Sequence, residues 1–193
     1  MREKDMKEKI ISVARDVFTS FGFKKTSMEM ISKKLGVTKS SLYYYFKDKE
    51  DIFKEIIERE AKEIIDKIEK SIERIEDPEK KLKEYFNVRM RFFLNIANRF
   101  KTFKEEYFEE YNFIGRIRKN YDKYEYEKVK EIIEEGVKKG RFVIKNVELT
   151  AFAIVSAAKG LEYEIATRIK RKNLTKNLEN LIDILFYGIV QKG

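Results

Sequence analysis

"TSMEMISKKLGVTKSSLYYYFKDKEDIF" occupies residues 26–53, and its polar and glycine positions divide it into helices. "TSME" at 26–29 has the form of a capping box. In that form the Thr26 hydroxyl accepts from the backbone of Glu29, whose carboxylate reaches back over the first turn. Met30, Ile31 and Leu35 follow at helical spacing, and Gly36 supplies the left-handed conformation that ends a helix. Thr38 is placed to cap the next helix, and Asp48, with Asp51 in the box position, caps another. Two helices meeting across Leu35-Gly36-Val37-Thr38 form a helix-turn-helix hinged on glycine.

The second helix of that pair reads "KSSLYYYF" at 39–46. At about 100° per residue, Leu42 and Phe46 fall together and mark the side packed on the preceding helices. Ser40 and Tyr44 fall furthest from that line, Ser41 lies near them, and Tyr43 and Tyr45 flank it. An outward tyrosine among lysines and serines suits a phosphodiester backbone, with its ring on sugar and its hydroxyl donating to phosphate. Lys39 can reach a guanine edge in a major groove, and Ser40 and Ser41 can approach bases or phosphates. Lys49 lies at the start of a long helix, where backbone N–H groups and the helix dipole favour an anion. The competing reading is that these tyrosines only stitch the small domain to the long helix. It weighs more for Tyr45 than for Tyr44.

Helical spacing continues in both directions. Ile10, Val13, Ala14, Val17, Phe18 and Phe21 predict a first helix from about Lys4 to Phe21, stopped by Gly22. A long helix follows Asp48 and carries isoleucines as far as Ile75. Pro78, the only proline, suits the first turn of the next. Further helices are expected at about 79–98, 101–119, 121–139, 147–171 and 175–191. Strand signals are poor, with no Asn-Gly or Asp-Gly turn. The chain reads as all-α with about nine helices: a three-helix helix-turn-helix domain at 1–47 and a helical bundle at 48–193.

Composition narrows the chemistry. None of the 193 residues is cysteine or histidine, so thiolate sites, imidazole metal ligands, Ser-His-Asp triads and Cys-His pairs are impossible. An enzyme would have to use carboxylates, lysine or tyrosine, for which Glu105-Glu106 and Glu109-Glu110 are the candidates. Those acids read better as a solvated face, and neither catalytic nor metal-binding residues are expected. The net charge is +9, and residues 1–50 hold 12 Lys/Arg against 7 Asp/Glu, a basic excess concentrated where the helix-turn-helix lies. Solubility charge on a lysine-rich surface explains that excess equally well. The charged N-terminus lacks the apolar core of a signal peptide, and no apolar run approaches the ~18 residues of a membrane span. A cytoplasmic protein that does not enter a membrane is therefore expected. The charged fraction of 40% is thermophile-like.

Residues 26–53 resemble the N-terminal signature of the TetR/AcrR family of one-component transcriptional repressors. The resemblance rests on Thr26 opening a helix, on Gly36-Val37-Thr38, on Leu42-Tyr43 with Phe46, and on Lys49-Glu50. Ser32 stands where alanine is common, and Leu35 replaces a small residue before the glycine; both are packing positions. The resemblance implies a homodimer that binds double-stranded operator DNA through its N-terminal domains and a small-molecule effector through its C-terminal ones. It places DNA contacts at Thr38, Lys39, Ser40, Ser41, Tyr43, Tyr44 and Lys49, with Thr26 and Met28 at the start of the second helix. Arg2 and Lys4 could add contacts through an arm. No cofactor is expected beyond the effector.

Thirteen of the chain's 26 aromatic residues fall between Tyr85 and Tyr126. They read either as ordinary core or as the lining of a pocket for an apolar or aromatic effector. The pocket candidates are Phe92, Phe93, Phe103, Tyr107, Phe108, Tyr111 and Tyr121, with Phe152 from a later helix. Ala153, Ala157 and Gly160 would let another helix approach closely, and Leu178, Leu181, Leu185 and Phe186 form an apolar stripe. Paired across a two-fold axis they would make a four-helix dimer interface; either stripe could instead bury itself within one chain. A helical adaptor that binds only protein is the rival to the DNA-binding reading. Salt-dependent binding to duplex DNA separates the two.

Overall fold

The computed structural model describes residues 3–99, 111–167 and 183–184. Among these described residues seven helices run in order: α1 (Glu3–Lys25), α2 (Met28–Leu35), α3 (Lys39–Tyr45), α4 (Lys49–Ile72), α5 (Pro78–Arg99), α6 (Tyr111–Lys138) and α7 (Val147–Thr167). There is no strand among the described residues, so the fold is all-α as expected. The expected helix at 175–191 lies almost wholly outside them, as does the first half of the one at 101–119. A break near Asn120 was also expected, but α6 runs straight through it, because neither glycine nor proline interrupts its polar stretch.

In its described residues the chain forms two compact units. One draws on Met1–Glu63 and Ile96–Lys119, the other on Ile64–Asn95 and Asn120–Gly193. The expected boundary at 47/48 marks the start of α4, whose Ile52, Phe53 and Ile56 are core residues of the first unit.

Within the first unit α1 packs on α2 and α2 on α3. Ile10, Ile11, Ala14, Val17 and Phe18 of α1 meet Met28 and Ile31 of α2, Leu42 of α3, Phe46, and the α4 residues. The spacing that built this cluster is the three-and-four rhythm seen in the sequence. Truncating one such residue costs roughly 2–5 kcal/mol, so the outward face of α3 is held from behind by Leu42 and Phe46. Gly22 breaks the helical dihedrals of α1 with φ 80° and ψ 171°, a backbone region that suits only glycine. The chain therefore turns so that Phe23, not Phe21, meets Phe18 and Phe53, with ring centroids 5.9 Å and 4.8 Å away. Phe21, expected inside, is 48% exposed.

The cap of α2 lies one residue later than the sequence suggests. Ser27 Oγ accepts from Met30 N at 3.2 Å, while Thr26 turns inward and donates to the Gly22 carbonyl at 2.6 Å. That bond satisfies a carbonyl left over at the α1 kink, which is why the threonine abandons the cap. Gly36 closes α2 at φ 75°, with Gly36 N on Lys33 O and Val37 N on Ser32 O, the two bonds of a Schellman motif. Thr38 Oγ1 caps α3 by accepting from Ser41 N at 3.1 Å, and Asp48 Oδ1 accepts from Asp51 N at 2.8 Å at the start of α4.

The second unit has its own core. Ile64, Ile68 and Ile72 of α4 are buried, with Leu82, Tyr85, Phe86, Met90 and Phe93 of α5. Tyr121, Val129, Ile132 and Ile133 of α6 join them, and Ala151, Val155 and Ala158 of α7. Pro78 opens α5, with Asp77 accepting from Glu79 N and Lys80 N. Asn146 caps α7 by accepting from Leu149 N. No described helix is long and apolar enough to cross a membrane.

Candidate nucleic-acid interface

A two-turn helix can present a groove-reading face only if something fixes its rotation about its own axis. In α3, Leu42 at 0% exposure and the following Phe46 at 3% do this. The opposite side is open: Lys39, Ser40 and Ser41 are exposed, Tyr43 is 48% exposed and Tyr44 73%. Tyr44 stacks edge-on against Tyr45 at 5.0 Å, and Tyr45 in turn packs against the core. The half-buried Tyr45 thus props Tyr44 outward. Lys39 Nζ lies 5.8 Å from the centre of the Tyr43 ring, which places a cation beside that phenol at the N-terminal end of α3. Thr38 and Ser41 share a hydroxyl–hydroxyl hydrogen bond of 2.8 Å, so one hydroxyl donates to the other, and the accepting one keeps its own O–H free to turn outward.

The remaining candidates are placed differently. Thr26 is 2% exposed and Met28 6%, so both side chains face the core rather than the surface of α3. Lys49 is half-buried, and its ammonium donates to the carbonyls of Phe23, Lys24 and Thr26. Arg2 lies outside the described residues, and Lys4 is exposed on α1. Elsewhere in the first 50 residues Lys24, Lys25, Lys33 and Lys47 are also exposed.

Candidates for effector binding fall in two groups. Phe92, Phe93 and Tyr121 are buried in the second unit, whereas Phe152 is 62% exposed. Phe103, Tyr107 and Phe108 lie outside the described residues, as does the side chain of Tyr111. Sequence reading missed a polar knot in the same unit. Arg89 at 2% exposure pairs through Nε and Nη2 with Glu125 at 0%, which also accepts from Tyr85 and Tyr121 at 3.2 Å and 3.0 Å. Burial, and then the Glu125 charge, push the Tyr85 phenol well above its ordinary value and keep it a donor. The signal was present: Arg89 is four residues from Tyr85 and from Phe93, on an otherwise apolar line of α5. Of the dimer candidates, Ala153 and Gly160 are exposed and Ala157 half-buried. Leu178, Leu181, Leu185 and Phe186 lie outside the described residues.

An exposed hydroxyl-and-cation face on a short helix, braced by a second helix across a Gly36 turn, is what duplex DNA reading requires, and independent comparisons converge on it. Residues 10–56 match the family described as bacterial regulatory proteins, tetR family. Over 157 residues the chain is 29% identical to the HTH-type transcriptional regulator YhgD of Bacillus subtilis, covering 78% of this chain and 79% of that protein. It is 26% identical over 176 residues to the HTH-type transcriptional regulator QacR of Staphylococcus aureus, covering 88% and 93%. The fold of the fatty acid degradation regulator FadR from Bacillus halodurans superposes over 100% of both chains with a TM-score of 0.77 at 22% identity. The matched segment opens four residues before Ala14 and closes on Ile56, both core residues of the first unit, so the whole groove-facing assembly falls inside the part of the chain, residues 10–56, that matches the tetR family of bacterial regulatory proteins.

Proposed function

We propose that this regulator is a cytoplasmic, non-catalytic homodimeric repressor that binds a pseudo-palindromic operator and is released by a small apolar or aromatic effector. The observation that carries the DNA-reading assignment is the outward side of α3, where Lys39, Ser40, Tyr43 and Tyr44 stand exposed while Leu42 and Phe46 are buried. Thr38, at the head of that helix, completes the surface. Two such helices would enter successive major grooves about 34–36 Å apart. Dimerisation is supported by the exposed apolar residues of α7, Leu149 and Phe152, beside Ala153 and Gly160. The apolar stripe of Leu178, Leu181, Leu185 and Phe186 would supply the second helix of each half. Effector binding is assigned to the C-terminal residues 48–193, where aromatic side chains concentrate. Because α4 supplies core residues to both compact units, a ligand-dependent shift of α4 is the coupling step. The ligand changes operator occupancy by its differential affinity for the two states.

The test is selection of bound fragments from the source genome with the full chain, followed by binding measurements on the recovered duplex. Tyr44→Ala with Lys39→Ala should weaken binding by roughly 100-fold or more, taking about 1–3 kcal/mol per lost contact, while leaving the oligomer intact. A doubly substituted protein that holds the duplex as tightly as the parent would show that this face does not read DNA. A parent that binds no duplex in a salt-dependent way would favour the adaptor reading instead.

A further inference from the structure

Every fourth residue of α4 from Ile52 to Ile72 is buried, and all of them are isoleucine except Glu60. A carboxylate on such a line needs a partner, and a packed apolar side chain in its place is often as stable or more so. Glu60, 7% exposed, is faced by two arginines from two other helices of the same compact unit. Arg99, in the last turn of α5, sends Nη1 to Oε1 at 3.3 Å and Nη2 to Oε2 at 3.5 Å. Arg15 of α1 holds its Nε 3.6 Å from Oε1, beyond hydrogen-bonding distance. That Nε is buried with no hydrogen-bond partner among the described residues, and so is Thr19 Oγ1 one turn further along α1.

These distances describe a carboxylate that neither arginine holds in full. Charge-assisted N–H···O bonds close to about 2.7–2.9 Å, and both bonds from Arg99 are longer. Oε1 is contested, since Arg99 Nη1 and Arg15 Nε both approach it. If Arg99 retreats, Arg15 Nε gains the acceptor it lacks, and its desolvation has already been met in the starting arrangement. Loss at one arginine is thus offset by gain at the other, which brings the two pairings close in free energy. We infer that Glu60 is a positioning residue that passes between Arg99 and Arg15, and that this exchange sets how α1 lies on α4. With Glu60 on Arg99, α1 keeps the placement in which its Ile11, Ala14 and Phe18 share a core with Ile31 of α2 and Leu42 of α3. With Glu60 on Arg15, α1 is drawn towards α4 and the seating of α2 and α3 shifts with it. The first pairing is the operator-binding one, and this clause alone rests on the repressor reading.

The first experiment uses the free, full-length protein and no DNA. Urea unfolding is measured for Arg15→Met, Arg99→Met and the double variant. Either arginine can take the carboxylate when the other is gone. Each single should therefore raise the unfolding equilibrium constant by less than about 10-fold, and the double by roughly 100-fold or more, beyond the product of the singles. A double equal to that product overturns the exchange. The second experiment reads Arg15 directly in protein made with isotope-labelled arginine. Its Nε–H resonance, assigned by its loss in Arg15→Met, should move downfield in Arg99→Met as the carboxylate closes on it. An unmoved resonance also overturns the exchange, and this arm decides if the double variant does not fold. The third measures binding to the genomic duplex recovered above. Both singles remove one positive charge, so charge loss alone would weaken them alike. Arg99→Met should instead bind roughly 5-fold or more weakly than Arg15→Met, which should hold the duplex as tightly as the parent. Equal affinities of the two singles would leave Glu60 without a positioning role. If the parent binds no duplex, the DNA reading fails while the unfolding cycle still decides the exchange.

Discussion

Arg89 and Glu125 carry the sharpest energetic conflict in the molecule. Removing a guanidinium and a carboxylate from water costs several kcal/mol per ion, and only mutual contact and further hydrogen bonds repay it. Here Tyr85 and Tyr121 add two donors to the carboxylate, and Met90 sulfur lies 3.5 Å from Arg89 Nη1. Taking one partner away strands the other. Arg89→Met should destabilise the protein by about 3–5 kcal/mol, whereas Arg89→Met with Glu125→Gln should recover most of that loss. Glutamine keeps an oxygen for both phenols while removing the buried charge. Urea unfolding midpoints of the two singles and the double close the cycle; a single variant as stable as the double would mean the pair is solvated. The knot was legible only in hindsight. A charged residue in a helix of a chain that is 40% charged is ordinarily counted as solvated, and only its phase between Tyr85 and Phe93 marks it as interior.

At the scale of elements, α7 is apolar on more than one side. Ala151, Val155 and Ala158 pack inward, while Leu149 and Phe152 are 61% and 62% exposed. In the proposed homodimer a second copy of the chain covers these two residues. Phe152→Glu should therefore shift the sedimentation mass from two chains towards one at micromolar concentration, with helical circular dichroism unchanged. A dimer that survives this change uses another surface. The same element shows the limit of sequence reading. The helix expected at about 147–171 starts where α7 does, and its last four residues lie outside the described ones, yet a helix with apolar residues on several sides does not say which faces its own core, and Phe152 was expected in a pocket. Where one face alone is apolar the sequence said more. Leu42 and Phe46 marked the inward side of α3 and Thr38 its start, while Gly36 and Asp48 marked the near ends of α2 and α4. The capping of α2 was misread by one residue because the Gly22 carbonyl, unpaired at a kink, competes for the Thr26 hydroxyl. Competition of that kind depends on a dihedral angle, which spacing does not report.

Across the whole molecule, the lack of histidine makes an unusual demand on stability as a function of pH. No imidazole exists to titrate near neutrality, so the pH limits are set by carboxylates and lysines in ion pairs. Glu8 is held below its ordinary 4.5 by the hydrogen-bonded Arg59. Burial raises Glu55, but Lys7 and Arg59 outweigh it and its carboxyl ends below 4.5, while Lys139 and Lys81 lower Glu135. A carboxylate with a depressed folded pKa contributes stability that is complete above its unfolded value and disappears as pH falls through the folded one. Lys128 works in the opposite sense. Burial lowers it, yet hydrogen bonds to Glu131 and Glu69 leave it above 10.5, so its contribution is complete below that value and fades above. Stability should therefore be flat from about pH 6 to pH 9 and fall on the acid side below about pH 4.5. Because Glu8 and Glu135 pair at the surface, raising salt from about 0.05 M to 0.5 M should shallow the acid limb by screening. Urea midpoints across pH at the two salt concentrations measure both effects. A slope between pH 6 and pH 8 would reveal a neutral-range titration for which the ion pairs described here give no source.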